Sequence, residues 1–238
     1  MLDQKRIQEL SEVEEKIDYQ FRNKDLLNQA LYHSSYANEN QDKTLSNERL
    51  EFLGDAVVGL IVSDLLYKKE DGFQEGEMTK KRSRLVCEPS FANMARQLGL
   101  GEYLQMGRGE ELSGGRNRDS ILADAFEALI AAVYLDSGFN GTQIYFEEVL
   151  SEKLLDYLNY ADQIKDYKTT LQEYFQKAGK QLKYSIDKEI GPEHEKVFYA
   201  SVHSEDKPIG SGVGKNKKSA EQAAAQNAIE ILGIKDEL

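Results

Sequence analysis

Apolar residues recur every three or four positions through the first two thirds of the chain, the spacing that is typical of amphipathic helices. An early example is residues 2–17, whose apolar positions are Ile7, Leu10, Val13 and Ile17. No stretch before residue 168 has the alternation of apolar and polar residues that indicates a strand. The pattern therefore predicts an all-α N-terminal domain over residues 1–160.

The pattern changes after a polar stretch at residues 161–167, which we interpret as a linker. A helical spacing comes first, over residues 169–178. Three alternating segments and an alanine-rich helix follow; the predicted strands are 182–190, 196–204 and 209–213, and the helix is 219–232. We therefore expect residues 168–238 to form a small α+β domain with the order α-β-β-β-α.

The helix predicted to begin after a cap at Ser46 or Asn47 is apolar on almost every side and yet carries carboxylates. Glu48, Glu51 and Asp55 fall on a common side, and no Lys or Arg lies one turn away from Asp55. An isolated charge in an apolar setting is costly unless it finds a counter-ion. This helix therefore indicates a bound cation.

A second helix, predicted over residues 120–135, repeats the combination, because two acids interrupt a run of alanines and large aliphatic residues. Asp124 and Glu127 are spaced i and i+3 and share one face. The alternative explanation is that caps or salt bridges satisfy these acids at an exposed helix end. This alternative is less favoured because two helices show the same pattern. We predict a cluster of four carboxylates, from Glu51, Asp55, Asp124 and Glu127.

The chemistry expected of this cluster is that of a hard divalent cation. Neither acid-bearing helix contributes His or Cys, which disfavours zinc and favours Mg²⁺, with Mn²⁺ able to substitute for it. Such ions activate water and stabilise the oxygens of a displacement at phosphorus. A glycosidase carboxylate pair is the alternative, but it does not need four acids. Phosphodiester hydrolysis is therefore the preferred interpretation.

The net charge of −12 argues against a nucleic-acid partner, but the charge is unevenly distributed. Residues 161–238 hold 12 Lys against 13 Asp and Glu, so nearly all of the excess lies before them. Lys215, Lys217 and Lys218 cluster at a predicted helix start, where backbone N–H groups and the helix dipole also favour phosphate. Residues 101–118 are rich in glycine and arginine, which predicts either contact with a phosphate backbone or a mobile surface loop.

The remaining features concern location. The chain has no run of 18 apolar residues that could span a membrane and no basic, apolar leader at its start. The single cysteine, Cys87, excludes an intramolecular disulfide and is interpreted as a packing residue, and His33 is interpreted as structural or surface-exposed. These features predict a cytoplasmic protein without a membrane partner.

Two motifs and the C-terminal pattern resemble known families. The run Glu48-Arg49-Leu50-Glu51-Phe52-Leu53-Gly54-Asp55-Ala56 is similar to the signature of the ribonuclease III family, and Asp124-x-x-Glu127 is similar to its second acidic motif. The C-terminal part resembles a double-stranded RNA-binding domain, including the Gly-x-Gly-x-x-Lys-Lys run before the last helix. The likeness covers nearly the whole chain, in the domain order of bacterial ribonuclease III.

The resemblance implies an endoribonuclease that hydrolyses double-stranded RNA with Mg²⁺. Glu51, Asp124 and Glu127 match the family's metal ligands. Asp55 and Glu127 match the residues assigned to catalysis, with Asp55 near a second metal ion and the water. The expected products have 5′-phosphate and 3′-hydroxyl ends, and the expected roles are in ribosomal, messenger and transfer RNA processing. The alternative is a non-catalytic regulatory protein that binds duplex RNA and whose acids are structural.

The resemblance also implies a homodimer whose two active sites share one valley. Phe52 matches an aromatic residue that enters a socket on the partner subunit. Glu75 matches an acid near the interface and the valley, and Glu48 is assigned to the same region. The expected partners are therefore duplex RNA and a second copy of the chain.

For the C-terminal domain, the resemblance implies three contacts with duplex RNA. Gln172 and Glu173 match minor-groove contacts of the first helix, and His194 matches a loop that enters the minor groove. Lys217 and Lys218 match lysines that bind phosphates across the intervening major groove. Such contacts recognise the shape of an A-form duplex more than its sequence.

Overall fold

The computed structural model describes residues 2–41, 45–68, 72–163, 167–192 and 196–234. The chain divides into two compact units, Met1–Asp162 and Gln163–Leu238. Part of the predicted linker, residues 164–166, lies outside the described residues. Among the helices that the structure describes, none is both long enough and apolar enough to cross a membrane.

The N-terminal unit is helical, as predicted. Its helices are α1 (Gln4–Ile17), α2 (Lys24–Ala30), α3 (Ser34–Glu39), α4 (Glu48–Lys68), α5 (Glu75–Leu85), α6 (Glu88–Gln97), α7 (Arg108–Leu112), α8 (Asp119–Tyr145) and α9 (Ser151–Gln163). A π-helical stretch, Phe146–Leu150, joins α8 to α9, and short 3₁₀ turns lie on either side of α7.

Helix α8 is the centre of this unit, because α2, α4 and α6 all pack against it. Every residue from Ile121 to Val133 is buried except two, Asp124 and Glu127. The buried positions combine alanines, which allow close approach of the neighbouring helices, with large residues that fill the core, such as Phe126. This central position explains why the helix is apolar on all sides, and it makes the two acids exceptional.

Several helix ends differ from the sequence-based expectations. Pro89, expected to interrupt a helix, lies in the first turn of α6, where its missing N–H costs nothing. The helix predicted over residues 120–135 is interrupted three residues later at Gly138, whose φ of 75° and ψ of 175° are not helical, and a second helical segment of α8 follows to Tyr145. Asn23 caps α2 as predicted, since its side chain accepts a hydrogen bond from the Asp25 N–H.

Two arginines of the glycine-rich segment 101–118, Arg116 and Arg118, pair with acids of the same segment. Arg116 donates to the main-chain carbonyls of Gly101 at 3.0 Å and Leu104 at 2.8 Å. Its Nε lies 2.6 Å from the Glu111 carboxylate, so this guanidinium acts as a local cross-link. The geometry favours a structural role for Arg116 over contact with a phosphate backbone.

The C-terminal unit has the predicted α-β-β-β-α order. Its elements are α10 (Tyr167–Lys177), β1 (Leu182–Ile190), β2 (Val197–Ser204), β3 (Lys207–Gly214) and α11 (Lys217–Leu232). The strands form one antiparallel sheet in the order β1-β2-β3. Helix α11 packs on β2, β3 and α10, and a Cβ at Gly212 would lie only 2.1 Å from the Ala224 nitrogen. Small residues on both sides therefore allow helix and sheet to touch.

Candidate functional site

The two acid-bearing helices, α4 and α8, touch backbone to backbone at Gly54. A Cβ added at Gly54 would lie 1.9 Å from the carbonyl oxygen of Glu127, far inside any real contact. The absence of a side chain at this position therefore lets the two helices approach until their carboxylates meet. In the sequence, Gly54 was noted only as part of the motif. A glycine inside a predicted helix, directly before an acid, was the feature that could have indicated a close helix contact.

This approach brings three of the four predicted carboxylates together. Among the described residues, Glu51, Asp124 and Glu127 each offer an oxygen, and these oxygens all lie within 4.8 Å of one another. All three side chains are partly exposed, so the cluster is accessible from solvent. We call these residues the acidic triad. Its spacing and its all-oxygen composition fit a hard divalent cation.

The electrostatics of the acidic triad indicate a shortage of positive charge. Burial, reinforced by the charges of Asp55, Glu51 and Asp124, raises the pKa of Glu127 to about 8. The pKa of Glu51 is also raised, chiefly by burial and then by Asp124. Burial raises the pKa of Asp124 as well, and the charge of His33 opposes this shift. Because the pKa shifts favour protonated acids, a cation would relieve their mutual repulsion.

Asp55 lies outside the acidic triad and is exposed. It is nevertheless close enough for its charge to raise the pKa of both Glu127 and Glu51. The predicted group of four carboxylates therefore separates into three converging oxygens and one flanking acid. This arrangement gives Asp55 a different position from the other three.

Further charged groups surround the acidic triad. Glu48, whose carboxylate accepts a hydrogen bond from Ser46 Oγ at 2.9 Å, raises the pKa of Glu51 and Asp124. Glu88, at the start of α6, also raises the pKa of Asp124. Sequence reasoning did not select Glu88, because it lies on a third helix that only the tertiary packing brings near.

Asn47 ties the start of α4 to the connection between α2 and α3. Its backbone N–H donates to the Tyr32 carbonyl at 2.8 Å, and its side-chain amide donates to the Ala30 carbonyl at 3.3 Å. Asn47 is only 3% exposed. The residue predicted as a helix cap therefore uses its side-chain amide as an anchor that orients the first turn of α4, including Glu51.

The predicted interface residues lie on exposed surfaces of the same unit. Phe52, next to Glu51 in α4, is 82% exposed, and Leu60 and Tyr67 of the same helix are 56% and 78% exposed. Large apolar side chains at this exposure are unusual on a free surface when they lie along one helix. Glu75 begins α5 and accepts a hydrogen bond from Thr79 Oγ1 at 3.1 Å.

The predicted RNA-contacting residues all belong to the C-terminal unit. Gln172 is exposed and Glu173 partly exposed on α10, and Lys217 and Lys218 are exposed in the first turn of α11. The helix start is well formed, because the Asn216 side chain accepts a hydrogen bond from the Ser219 N–H at 2.8 Å. His194 lies outside the described residues.

Comparison with family models covers both units. A model described as ribonuclease-III-like matches residues 23–154, and a model of the double-stranded RNA binding motif matches residues 167–232. The chain belongs to the ribonuclease III family. The first match contains the whole acidic triad, and the second contains the predicted RNA-contacting residues.

Individual members of the ribonuclease III family match over most of the chain. The Ribonuclease 3 of Caldanaerobacter subterraneus is 49% identical over 231 residues, which cover 94% of this chain and 99% of that protein. The Ribonuclease 3 of Borreliella burgdorferi is 47% identical over 225 residues, which cover 94% of this chain and 91% of that protein. The solved nuclease domain of ribonuclease III from Campylobacter jejuni is 40% identical, with a TM-score of 0.56, and the match covers 60% of this chain and 96% of that one.

Proposed function

We propose that the chain is a Mg²⁺-dependent endoribonuclease whose metal centre is the acidic triad. Family membership and the C-terminal domain make the chain an endoribonuclease that acts on double-stranded RNA. The observation that carries the assignment of the metal centre is the convergence of Glu51, Asp124 and Glu127 oxygens within 4.8 Å. The preference of Mg²⁺ for oxygen ligands supports this ion, and Mn²⁺ shares the preference.

Each acid has a distinct part in the proposed reaction. Glu51, Asp124 and Glu127 would hold the cation, and Glu127 would give up its proton to do so, because burial and the neighbouring acids raise its pKa to about 8. A divalent ion held there would supply positive charge at the scissile phosphate and lower the pKa of water. Asp55 would accept a hydrogen bond from the attacking water and orient it, a role supported by its exposure and by the effect of its charge on Glu127.

The proposed reaction is hydrolysis of the phosphodiester. A bond forms between the water oxygen and phosphorus, and the bond between phosphorus and the 3′ oxygen breaks. The water gives up one proton as it attacks and the departing 3′ oxygen takes up one, which leaves 5′-phosphate and 3′-hydroxyl ends. The second interpretation is a non-catalytic RNA-binding protein whose acids are structural. It is disfavoured because burial and the neighbouring acids raise the pKa of Glu127, so the ionised carboxylates repel one another and do not stabilise the fold.

The exposed apolar side of α4 supports a homodimer. Phe52, Leu60 and Tyr67 would be covered by a second subunit, and Glu48 and Glu75 would then lie near the interface or the valley between the two active sites. The Campylobacter jejuni relative is described as having a region involved in dimer formation of its nuclease domain. Assembly of this chain in the same way would place two acidic triads beside one RNA duplex.

The C-terminal domain supplies the proposed grip on the duplex. Gln172 and Glu173 would reach the minor groove, and Lys217 and Lys218 would contact phosphates across the next major groove. His194 is assigned to the minor-groove loop. The RNA substrates that we propose are precursors of ribosomal, messenger and transfer RNA, and the proposed location is the cytoplasm.

Cleavage of a labelled RNA hairpin tests the assignment. We expect the wild-type protein to cut with Mg²⁺ and not with EDTA, and Glu127→Gln to bind the hairpin without cutting it. Glu152→Gln, which changes an exposed acid of α9 in the same way, is the control and should cut normally. Normal cutting by Glu127→Gln would reject the acidic triad as the metal centre.

A further inference from the structure

At one end of the C-terminal sheet, the carboxylate of Glu189 lies between Lys196 and Lys217. Near the end of β1, Glu189 pairs with Phe198 of β2, and Phe198 in turn pairs with Gly214 of β3, just before the start of α11. This register brings the end of β1 and the first turn of α11 to the same end of the sheet. Lys217, the first residue of α11, therefore lies close to Glu189.

Glu189 makes contact with two lysines at once. Its Oε1 lies 3.4 Å from Nζ of Lys217, and its Oε2 lies 3.3 Å from Nζ of Lys196. Lys217 Nζ also lies over the Phe198 ring, 6.0 Å from its centroid. The two lysines hold the pKa of Glu189 below its usual range, Lys196 having the larger effect, so the carboxylate is ionised at neutral pH. Lys217 is thus paired with an anion before any RNA arrives.

We propose that Glu189 is an intramolecular competitor of the RNA backbone, which limits the affinity of the domain for duplex RNA by occupying Lys217. This inference rests on the proposed role of Lys217 in phosphate binding. A phosphate that approaches Lys217 must displace or share Glu189, and it also meets the negative charge of that carboxylate.

Competition fits the charge and exposure of this region better than orientation of Lys217 does. The Lys217 side chain is 62% exposed, so its pairing with Glu189 is a surface contact that fixes the ammonium group weakly. Residues 161–238 carry a net charge of −1, from 12 Lys and 13 Asp and Glu, so each lysine that contacts RNA matters. An acid paired with one of the few phosphate-binding lysines therefore weakens binding more than it organises it.

The test measures binding of the full chain to a perfectly paired RNA duplex of roughly 20 base pairs, longer than the ~16 that such a domain spans. Binding is measured by fluorescence anisotropy, and EDTA removes divalent cations so that the RNA is not cleaved. The variants are Glu189→Gln, Lys217→Ala and the double variant. Glu205→Gln is the matched control, because Glu205 pairs with Lys180 at 3.4 Å but lies in the turn after β2, at the opposite end of the sheet.

We expect Glu189→Gln to bind about two- to fivefold more tightly at low salt, the range that one exposed ion pair accounts for. The gain should shrink near 1 M salt, where the screening length falls to ~3 Å. Most of it should disappear in the Lys217→Ala background, and Glu205→Gln should bind like the wild type.

Two results would overturn the inference without affecting the proposed RNA site. The first is that Glu189→Gln binds no more tightly than the wild type although Lys217→Ala binds more weakly. The second is that Glu205→Gln gains as much affinity as Glu189→Gln. If Lys217→Ala binds RNA as well as the wild type does, the proposed contact of Lys217 with phosphate is itself wrong, and the competition falls with it. The two failures are therefore distinguishable.

Discussion

Replacement of Gly54 by alanine tests whether the close approach of α4 and α8 assembles the acidic triad. In Gly54→Ala the new Cβ would lie 1.9 Å from the Glu127 carbonyl oxygen, whereas real Cβ contacts are essentially never shorter than 3.0 Å. The contacting atom belongs to the backbone of the central helix, so the helices must separate locally by at least about 1 Å. Overpacking of this kind costs about 1–3 kcal/mol of stability.

The expected loss of activity is larger than the loss of stability explains. A displacement of about 1 Å in a catalytic constellation can cost on the order of 10²-fold in rate. We therefore expect Gly54→Ala to cut an RNA hairpin about 100-fold more slowly at saturating Mg²⁺ and to need more Mg²⁺ for half-maximal rate, at a temperature where circular dichroism shows it folded. Separation of the carboxylates weakens the metal site, whereas simple destabilisation would leave the Mg²⁺ requirement of the folded fraction unchanged.

Gly59→Ala is the matched control within the same helix. A Cβ at Gly59 meets nothing within 4 Å, so alanine should stabilise α4 by up to about 1 kcal/mol through its helix propensity. Gly59 lies on the same side of α4 as Phe52, so a side chain there would face the proposed dimer partner. Sedimentation is therefore used to compare both variants at the same oligomeric state. A Gly54→Ala protein with wild-type rate and Mg²⁺ dependence would refute the reasoning.

Two further predictions concern stability and assembly. In EDTA the free energy of unfolding should fall as pH rises from about 4.5 to about 8, because folded Glu127 retains a proton that the unfolded chain loses near its ordinary pKa. Denaturant titrations of Glu127→Gln should show a smaller fall with pH and higher stability than the wild type at pH 8, and identical pH dependence of the two proteins would contradict the raised pKa. Phe52→Ala should weaken the homodimer in sedimentation equilibrium, since a side chain that is 82% exposed in one subunit would be buried by the other. A wild-type protein that is monomeric and fully active would exclude the proposed interface.

The sequence pattern was sufficient for the elements that depend on local spacing. The acids of α4 and α8 were recognisable because each interrupts an apolar helix, and the strands were recognisable from their alternation. The first segment of α8 ends close to where the apolar run 120–135 predicted, because the backbone at Gly138 is not helical.

The geometry of the acidic triad depends on packing that no local pattern contains. Convergence of Glu51 with Asp124 requires the contact at Gly54, and the effects of Glu88 and His33 on Asp124 come from two further segments. Spacing placed all four acids on two faces but could not separate Asp55 from the other three. That separation follows from which residues of each helix face its neighbour.

Calorimetric titration of the metal-free protein with Mg²⁺ or Mn²⁺ tests most directly whether Glu51, Asp124 and Glu127 hold the catalytic metal ion. Measurement in buffers of different ionisation enthalpy counts the protons released on binding. With a Glu127 pKa of about 8, close to one proton should leave per ion at pH 7 and about a tenth of one at pH 9. Glu127→Gln should lose most of the binding and all of this proton release. Tight binding without proton release at pH 7, or binding unchanged in Glu127→Gln, would contradict this assignment.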